Sequence, residues 1–207
     1  DSFGDTDTLT SIENATGGTL GDLLAGSNGD NIFRGLAGAD TIQGAGGIDT
    51  VDYSRDANYG RLVEMDGSAG VVVDLQAGTG QDGFGDTDSL LGIENVIGTA
   101  QGDTISGNTD NNRLEGLAGN DTLTGGAGSD ILDGGEDTDT ADYSGETDVV
   151  NAFLFNVVDY GGAIGLAVGV SGANFGTDFL KSIENVIGGT AADFLYGDAG
   201  ANRIEGR

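Results

Sequence analysis

Aspartate and asparagine residues repeat every nine positions, and they are the side chains of this sequence that are best suited to bind a metal ion. They form three runs: Asp22, Asn31, Asp40 and Asp49; Asp103, Asn112, Asp121, Asp130 and Asp139; and Asp193 and Asn202. These side chains offer only oxygen ligands. Oxygen ligands suit a hard cation such as Ca²⁺ better than zinc or copper, and Mg²⁺ accepts a flexible oxygen site less readily. The runs therefore predict several calcium ions.

Residues that commonly carry catalysis are scarce in this chain. The sequence has no His and no Cys, and Lys181 is its only lysine. Acid–base work and nucleophilic attack most often depend on these residue types, and no serine has a visible base near it in the sequence. We therefore predict that the chain is not an enzyme.

The charge of the chain is strongly negative. Thirty-five acidic residues stand against seven basic ones, which gives a formal net charge of −28. This charge opposes compaction unless cations neutralise it, and it repels nucleic acid and anionic lipid. The longest apolar run, 163–170, is too short to cross a bilayer. We expect no nucleic-acid partner and no membrane insertion.

Glycines accompany the periodic acids and define a nine-residue motif. The best copies are Gly116–Thr124 and Gly125–Asp133, which follow the pattern G-G-x-G-x-D-x-U-x, with U an apolar residue such as Leu123 or Leu132. The sequence resembles the RTX, or hemolysin-type, calcium-binding repeats. That resemblance implies an all-β fold, a parallel β-roll (β-solenoid). Two nonapeptides form one 18-residue coil, the U residues point inward, and glycines supply positive-φ turns.

In the implied roll, acid side chains that are 18 residues apart meet at a turn, where a Ca²⁺ would offset their repulsion. Turn carbonyls would complete the ligand set. Five pairs fit: Asp22–Asp40, Asn31–Asp49, Asp103–Asp121, Asn112–Asp130 and Asp121–Asp139. Pairs with Asn carry less charge and are expected to bind more weakly. Glu13, Glu94 and Glu184 share the phase, but we favour a solvated or ladder-forming role over a ligand role for them.

A longer period divides the chain into units. The pattern Asp-x-Leu…Ile-Glu-Asn begins at Asp7, Asp88 and Asp178, and Tyr53 and Tyr143 recur at unit boundaries, where we expect them to pack. The predicted organisation is a first repeat block at 1–56 with nonapeptides 17–52, a strand-rich spacer at 57–81, a second block at 82–145 with nonapeptides 98–142, a second spacer at 146–174 and the start of a third block at 175–207.

Both spacers keep the phase of the repeats. Asp49 to Asp103 and Asp139 to Asp193 are each 54 residues, which equals three 18-residue coils. This predicts that whole coils fill the spacers, so that the solenoid axis is unbroken. Four spacer residues should then face the interior as U residues do, namely Val73, Leu75, Ile164 and Leu166.

The favoured function is a calcium-rigidified structural module of a large secreted or cell-surface protein, such as an adhesin, an S-layer or an extracellular filament. The family resemblance implies type I secretion from a Gram-negative bacterium. Alternatives are an accessory module of a secreted polysaccharide epimerase, protease or lipase, and a repeat that binds carbohydrate or ice. Self-association into arrays or filaments and a polysaccharide partner stay open.

Overall fold

A computed structural model describes residues 13–55, 69–159, 162–167 and 177–207, with side chains described outside 155–159 and 162–167. Within these ranges every regular element is a strand, and no helix is long and apolar enough to cross a membrane. The strands are β1 (Asn14–Thr16), β2 (Leu23–Ala25), β3 (Ile32–Arg34), β4 (Thr41–Gln43), β5 (Thr50–Asp52), β6 (Val72–Asp74), β7 (Thr79–Gln81), β8 (Thr87–Leu91), β9 (Asn95–Ile97), β10 (Thr104–Ser106), β11 (Arg113–Ala118), β12 (Thr122–Thr124), β13 (Ile131–Glu136), β14 (Thr140–Asp142), β15 (Asn151–Asp159), β16 (Gly162–Ala167), β17 (Phe179–Lys181), β18 (Asn185–Ile187), β19 (Phe194–Tyr196) and β20 (Arg203–Glu205).

Successive nonapeptides contribute strands alternately to two facing sheets. One sheet has seven strands in the order β1-β3-β5-β9-β11-β13-β17, and all of its pairings are parallel. The other has ten strands in the order β2-β4-β8-β7-β6-β10-β12-β14-β18-β20. Within the repeat blocks the register is 18 residues, as for Ile105 with Leu123 and Leu114 with Leu132. The mostly parallel, all-strand architecture confirms the predicted β-roll.

The core is a double row of U residues between the sheets. Strand side chains alternate between faces, so the middle residue of each three-residue strand points inward. Ile105, Leu114, Leu123, Leu132 and Ala141 are fully buried. Each coil therefore adds two apolar side chains to the core, which is consistent with the scarcity of aromatic residues.

The first spacer contributes a hairpin to the ten-stranded sheet. Strands β6 and β7 pair antiparallel with each other, β7 pairs antiparallel with β8, and β6 pairs parallel with β10. In the seven-stranded sheet, Val51 pairs directly with Val96. The prediction that whole coils fill the spacer is therefore wrong, because an inserted hairpin takes up the extra length. The seven-stranded sheet nevertheless continues past this spacer, and Val73 and Leu75 are buried as expected.

The second spacer also contributes a hairpin, but against the other sheet. Strand β15 pairs antiparallel with β16 and parallel with β19, and β16 lies beside β17, the last strand of the seven-stranded sheet. In the ten-stranded sheet, Ala141 pairs directly with Val186, so the roll continues past this insertion. The predicted inward positions Ile164 and Leu166 lie outside the described side chains.

A buried tyrosine lies where each hairpin joins the roll. The Tyr53 hydroxyl donates to Asp88 Oδ2 at 3.0 Å, and the Tyr143 hydroxyl donates to Asp178 Oδ2 at 2.9 Å. A Cβ on Gly80 of the first hairpin would overlap the Tyr53 hydroxyl, so only glycine leaves room for the ring. Both tyrosines pack where a hairpin meets the roll, which confirms their predicted structural role.

Candidate calcium-binding turns

The periodic acids form a ladder along the turns of the roll. One side-chain oxygen of each accepts a hydrogen bond from the backbone amide of the acid 18 residues earlier. The distances are 2.7 Å from Asp22 N to Asp40, 2.8 Å from Asn31 N to Asp49, 2.7 Å from Asp103 N to Asp121, 2.8 Å from Asn112 N to Asp130 and 2.9 Å from Asp121 N to Asp139. All five predicted pairs are thus brought together.

At the spacers, other residues complete the ladder. Asp88 Oδ1 accepts from Asp40 N at 2.9 Å, and Asp178 Oδ1 accepts from Asp130 N at 3.0 Å. Glu94 Oε2 accepts from Asp49 N at 2.8 Å, and Glu184 Oε2 accepts from Asp139 N at 2.9 Å. The two glutamates are therefore ladder-forming, as favoured from the sequence, whereas Glu13 is exposed. The sequence did not predict the ladder role of Asp88 and Asp178, although both residues recur at the start of the Asp-x-Leu pattern.

The remaining two residues of the predicted site, Asp193 and Asn202, follow the second hairpin. Asp193 Oδ1 accepts from Val150 N at 2.9 Å, as Asp103 Oδ1 accepts from Val71 N at 2.8 Å after the first hairpin. Asn202 Oδ1 accepts from Asp198 N at 2.8 Å. At both hairpins, the ladder hydrogen bond to the aspartate thus comes from a valine amide and not from the amide of another ladder residue.

The second carboxylate oxygen of several ladder acids is buried without a hydrogen-bond donor. This is true of Oδ2 in Asp40, Asp49, Asp121, Asp130, Asp139 and Asp193 within the described part of the chain. A buried charged oxygen with no partner is costly, and native proteins rarely leave one unsatisfied. These six oxygens therefore require a positive ligand or a proton.

Each of the eleven predicted site residues faces a glycine five positions before it. A Cβ on Gly116 would overlap Asp121 Oδ2, and the same overlap with the in-phase oxygen occurs at Gly17, Gly26, Gly35, Gly44, Gly98, Gly107, Gly125, Gly134, Gly188 and Gly197. These first glycines are needed because the side-chain oxygen fills the space of a Cβ. The predicted positive-φ role belongs instead to the second and fourth positions of the motif, as in Gly126 at 90° and Gly128 at 115°.

Peptide carbonyls converge on the same points. Beside Gly116, the Asp121 Oδ2 atom is joined by Gly134 O from the next coil, and beside Gly98 the Asp103 Oδ2 atom is joined by Gly116 O. Two acceptor oxygens therefore lie close to each other at each of these turns, and a cation nearby would offset their repulsion. Among the described residues no three acid side chains gather as a metal cluster. The oxygens present therefore fit calcium only as carboxylates completed by peptide carbonyls.

Some residues of the ladder, both asparagines and aspartates, accept a hydrogen bond from an amide of their own turn. Asn31 Oδ1 accepts from Ser27 N, and Asn112 Oδ1 accepts from Asn108 N, both at 2.8 Å. Asp22 Oδ2 and Asp103 Oδ2 are likewise bonded to turn amides, those of Gly18 at 2.6 Å and Thr99 at 2.7 Å. At these positions the protein itself satisfies the oxygen, so the need for a cation is weaker than at the six unpartnered carboxylates.

Burial raises the pKa of the unpartnered acids. The pKa of Asp40, Asp121 and Asp130 rises to about 7, and that of Asp139 rises to about 6. Desolvation is the main cause, neighbouring carboxylates add to it, and the ladder amides oppose it. Without a bound cation, these turns hold carboxylates that are hard to ionise near neutral pH.

A family model for the RTX calcium-binding nonapeptide repeat matches four copies in the chain, at residues 16–51, 88–119, 106–141 and 182–207. Together the matches cover more than half of the sequence. The chain belongs to the RTX calcium-binding repeat family. RTX repeats form a calcium-binding β-roll, are structural and not catalytic, and are typical of proteins exported by type I secretion. The RTX model does not match residues 52–87, which contain the first hairpin.

Proposed function

We propose that this chain is a structural rod segment of a secreted or cell-surface protein, such as an adhesin, an S-layer or an extracellular filament, and that calcium folds and stiffens it. Its calcium ligands are the eleven periodic acids and amides from Asp22 to Asn202, completed by turn carbonyls. Export through a type I secretion system of a Gram-negative cell fits this function. In the low-calcium cytoplasm the unneutralised acids would keep the chain unfolded until it reaches the outside.

The observation that carries the proposal is the row of six buried, unpartnered carboxylate oxygens at the turns. They repeat with the coils, so each ion would tie one coil to the next along the whole axis. The Tyr53 contact and the seven-stranded sheet carry that continuity past the first hairpin, and the Tyr143 contact and the ten-stranded sheet carry it past the second. Such a column of ions supports stiffness along one axis more directly than it supports chemistry at one point.

Calcium titration tests the proposal. Chelated protein at pH 8 is expected to give a coil-like far-ultraviolet circular dichroism spectrum, and Ca²⁺ at about 1 mM, a level typical of extracellular sites, should convert it to a β spectrum. Mg²⁺ at the same concentration should not, because it keeps its waters and prefers a tight octahedral site. A full β spectrum in excess chelator at pH 8 would overturn the proposal.

The competing proposal is that the roll assists an enzyme domain of the same protein, as an accessory module of a polysaccharide epimerase, protease or lipase. Both accounts need the same calcium-dependent fold, and they differ in what the neighbouring domains do.

Carbohydrate binding is a second candidate function, and one surface favours it. Thr104, Thr122 and Thr140 stand in register on the outer face of the ten-stranded sheet, and Ser106 and Thr124 form a second hydroxyl row beside them. The outer face of the seven-stranded sheet carries the ion pairs Arg34–Asp52 and Lys181–Asp133, whereas the ten-stranded sheet carries Arg203–Glu205 on its last strand, away from this row. In so acidic a chain, the uncharged row of Thr104, Thr122 and Thr140 suits a neutral polysaccharide.

Sedimentation with insoluble cellulose or chitin tests this second function. The calcium-loaded protein is expected to bind, and Thr122→Glu should weaken binding about tenfold, which is 1.4 kcal/mol, by placing charge in the hydroxyl row. Thr50→Glu, the matched change on the outer face of the other sheet, should leave binding unchanged. Equal binding by both variants would rule out the hydroxyl row as the contact surface.

A further inference from the structure

The loop between β7 and β8 contains a buried carboxylate that the repeat motif does not explain. Asp82 is 1% exposed. Its Oδ1 accepts from Asp86 N at 2.8 Å and from Phe84 N at 3.0 Å, while its Oδ2 is buried and has no hydrogen-bond partner in the described structure. The loop lies outside the residues that the RTX model matches.

Asp82 does not stand alone at this junction. Asp40 is 2% exposed, and its Oδ2 is also buried and unpartnered. The loop lies against the turn that carries Asp40, because Asp86 Oδ2 accepts a hydrogen bond from Gly38 N at 3.1 Å. Asp88 is satisfied by the Asp40 amide and by Tyr53. Two bare oxygens, on Asp40 and Asp82, therefore remain at the place where the hairpin enters the roll.

Loop formation alone does not account for Asp82. Its two bonds to Phe84 and Asp86 use only Oδ1, and an asparagine oxygen could accept both. A second oxygen that is buried and bare is a net cost to the fold unless something positive binds it. The seven-residue sequence of the loop, Asp82–Asp88, also recurs at residues 1–7 with all three acids in place and only Ser2 for Gly83. Residues 1–7 lie outside the described ranges.

We propose that Asp82 adds a ligand to the calcium ion that Asp40 binds at this junction, a ligand that lies outside the nonapeptide motif. It rests on the calcium-dependent fold proposed above. The two carboxylates supply one bare oxygen each, and peptide oxygens complete the ligand set, as at the repeat turns. The ion links the loop of the inserted hairpin to a turn of the roll, so it holds the hairpin in the stack.

Asp82→Asn tests the site, because the amide keeps the Oδ1 acceptor and replaces the bare oxygen with an NH₂ group, which cannot bind a cation. Calcium bound per chain is measured by equilibrium dialysis with metal analysis, in protein that gives the wild-type circular dichroism spectrum in saturating calcium. Asp82→Asn is expected to bind one ion fewer than the wild type. Asp110→Asn, the same change at an exposed position outside the ladder, should bind the wild-type number.

An unchanged ion count in Asp82→Asn would overturn the site, whereas a wild type that binds no calcium would overturn the proposed function instead. If Asp82→Asn does not fold, Asp82→Glu serves in its place because it keeps the charge. It is expected to weaken the affinity of one ion about tenfold by displacing the ligand oxygen. If every ion then binds as it does in the wild type, the site is again ruled out.

Discussion

At pH 5 in excess chelator, the chain is expected to hold β structure that it loses in the same chelator at pH 8. The reason is that burial raises the pKa of Asp40, Asp121 and Asp130 to about 7 and that of Asp88 and Asp139 to about 6. In an unfolded chain these groups would titrate near 3.9. Between these values the folded state binds more protons than the unfolded state does.

The sign follows from that difference. A raised folded-state pKa stabilises the fold below the unfolded value, and the stabilisation is lost as the pH rises through about 6 to 7. Protonation at low pH thus neutralises some of the buried carboxylates that calcium neutralises at pH 8. Far-ultraviolet circular dichroism against pH, in chelator, measures the effect. Raising the salt concentration at pH 8 is the control, because salt screens the general repulsion between acids but adds no proton to a buried carboxylate.

A variant sharpens this test. Asp121→Asn replaces the carboxylate with a neutral amide that resembles the protonated acid. It should therefore fold in chelator at a higher pH than the wild type while binding less calcium, whereas Asp110→Asn at an exposed position should do neither. Apo spectra that are identical at pH 5 and pH 8 would contradict the protonation account, as would recovery by salt alone.

The second large effect is expected from Gly116→Ala. Its Cβ would overlap both Asp121 Oδ2 and Gly134 O, so the carboxylate must leave the turn. We expect loss of the calcium that Asp121 binds and a decrease in the free energy of unfolding of about 2–3 kcal/mol in saturating calcium, at the upper end for overpacking a closed site. Urea unfolding followed by circular dichroism, together with an ion count, measures both.

Gly145→Ala is the matched control. Nothing lies within 4 Å of a Cβ at Gly145, and its backbone does not adopt a positive φ. The same substitution there should change neither the ion count nor the free energy of unfolding by more than about 0.5 kcal/mol. Equal effects at Gly116 and Gly145 would show that the space beside Asp121 does not matter.

The nonapeptide spacing predicted most of the roll residue by residue. The glycine, acid and apolar positions repeat together, so they place Leu114, Leu123 and Leu132 in the core and Asp103 beside Asp121. A parallel stack repeats the same contacts in every coil, so the correct alignment of one nonapeptide also aligns the nonapeptides that follow it. The five acid pairs followed from the same rule.

The hairpins could not be predicted in this way. The 54-residue intervals looked like three coils, yet Val51 pairs with Val96 because an antiparallel excursion has no fixed period. Glu94 takes an aspartate's place in the ladder because its longer side chain still reaches the Asp49 amide, which spacing alone does not reveal. The bare oxygen of Asp82 depends on how the loop folds, and no motif marks it.

The two hairpins lie on opposite sides of the rod, and the number of repeats determines this. Leu90 follows the first hairpin into the ten-stranded sheet, whereas Leu180 follows the second into the seven-stranded sheet. They are 90 residues apart, whereas Leu9 and Leu90 are 81 apart, and the extra nine residues are half a coil. Whether the number of nonapeptides between two insertions is odd or even thus determines the side of the rod on which the second insertion lies. Gain or loss of one nonapeptide would move every later insertion to the opposite side, and gain of two would restore its position.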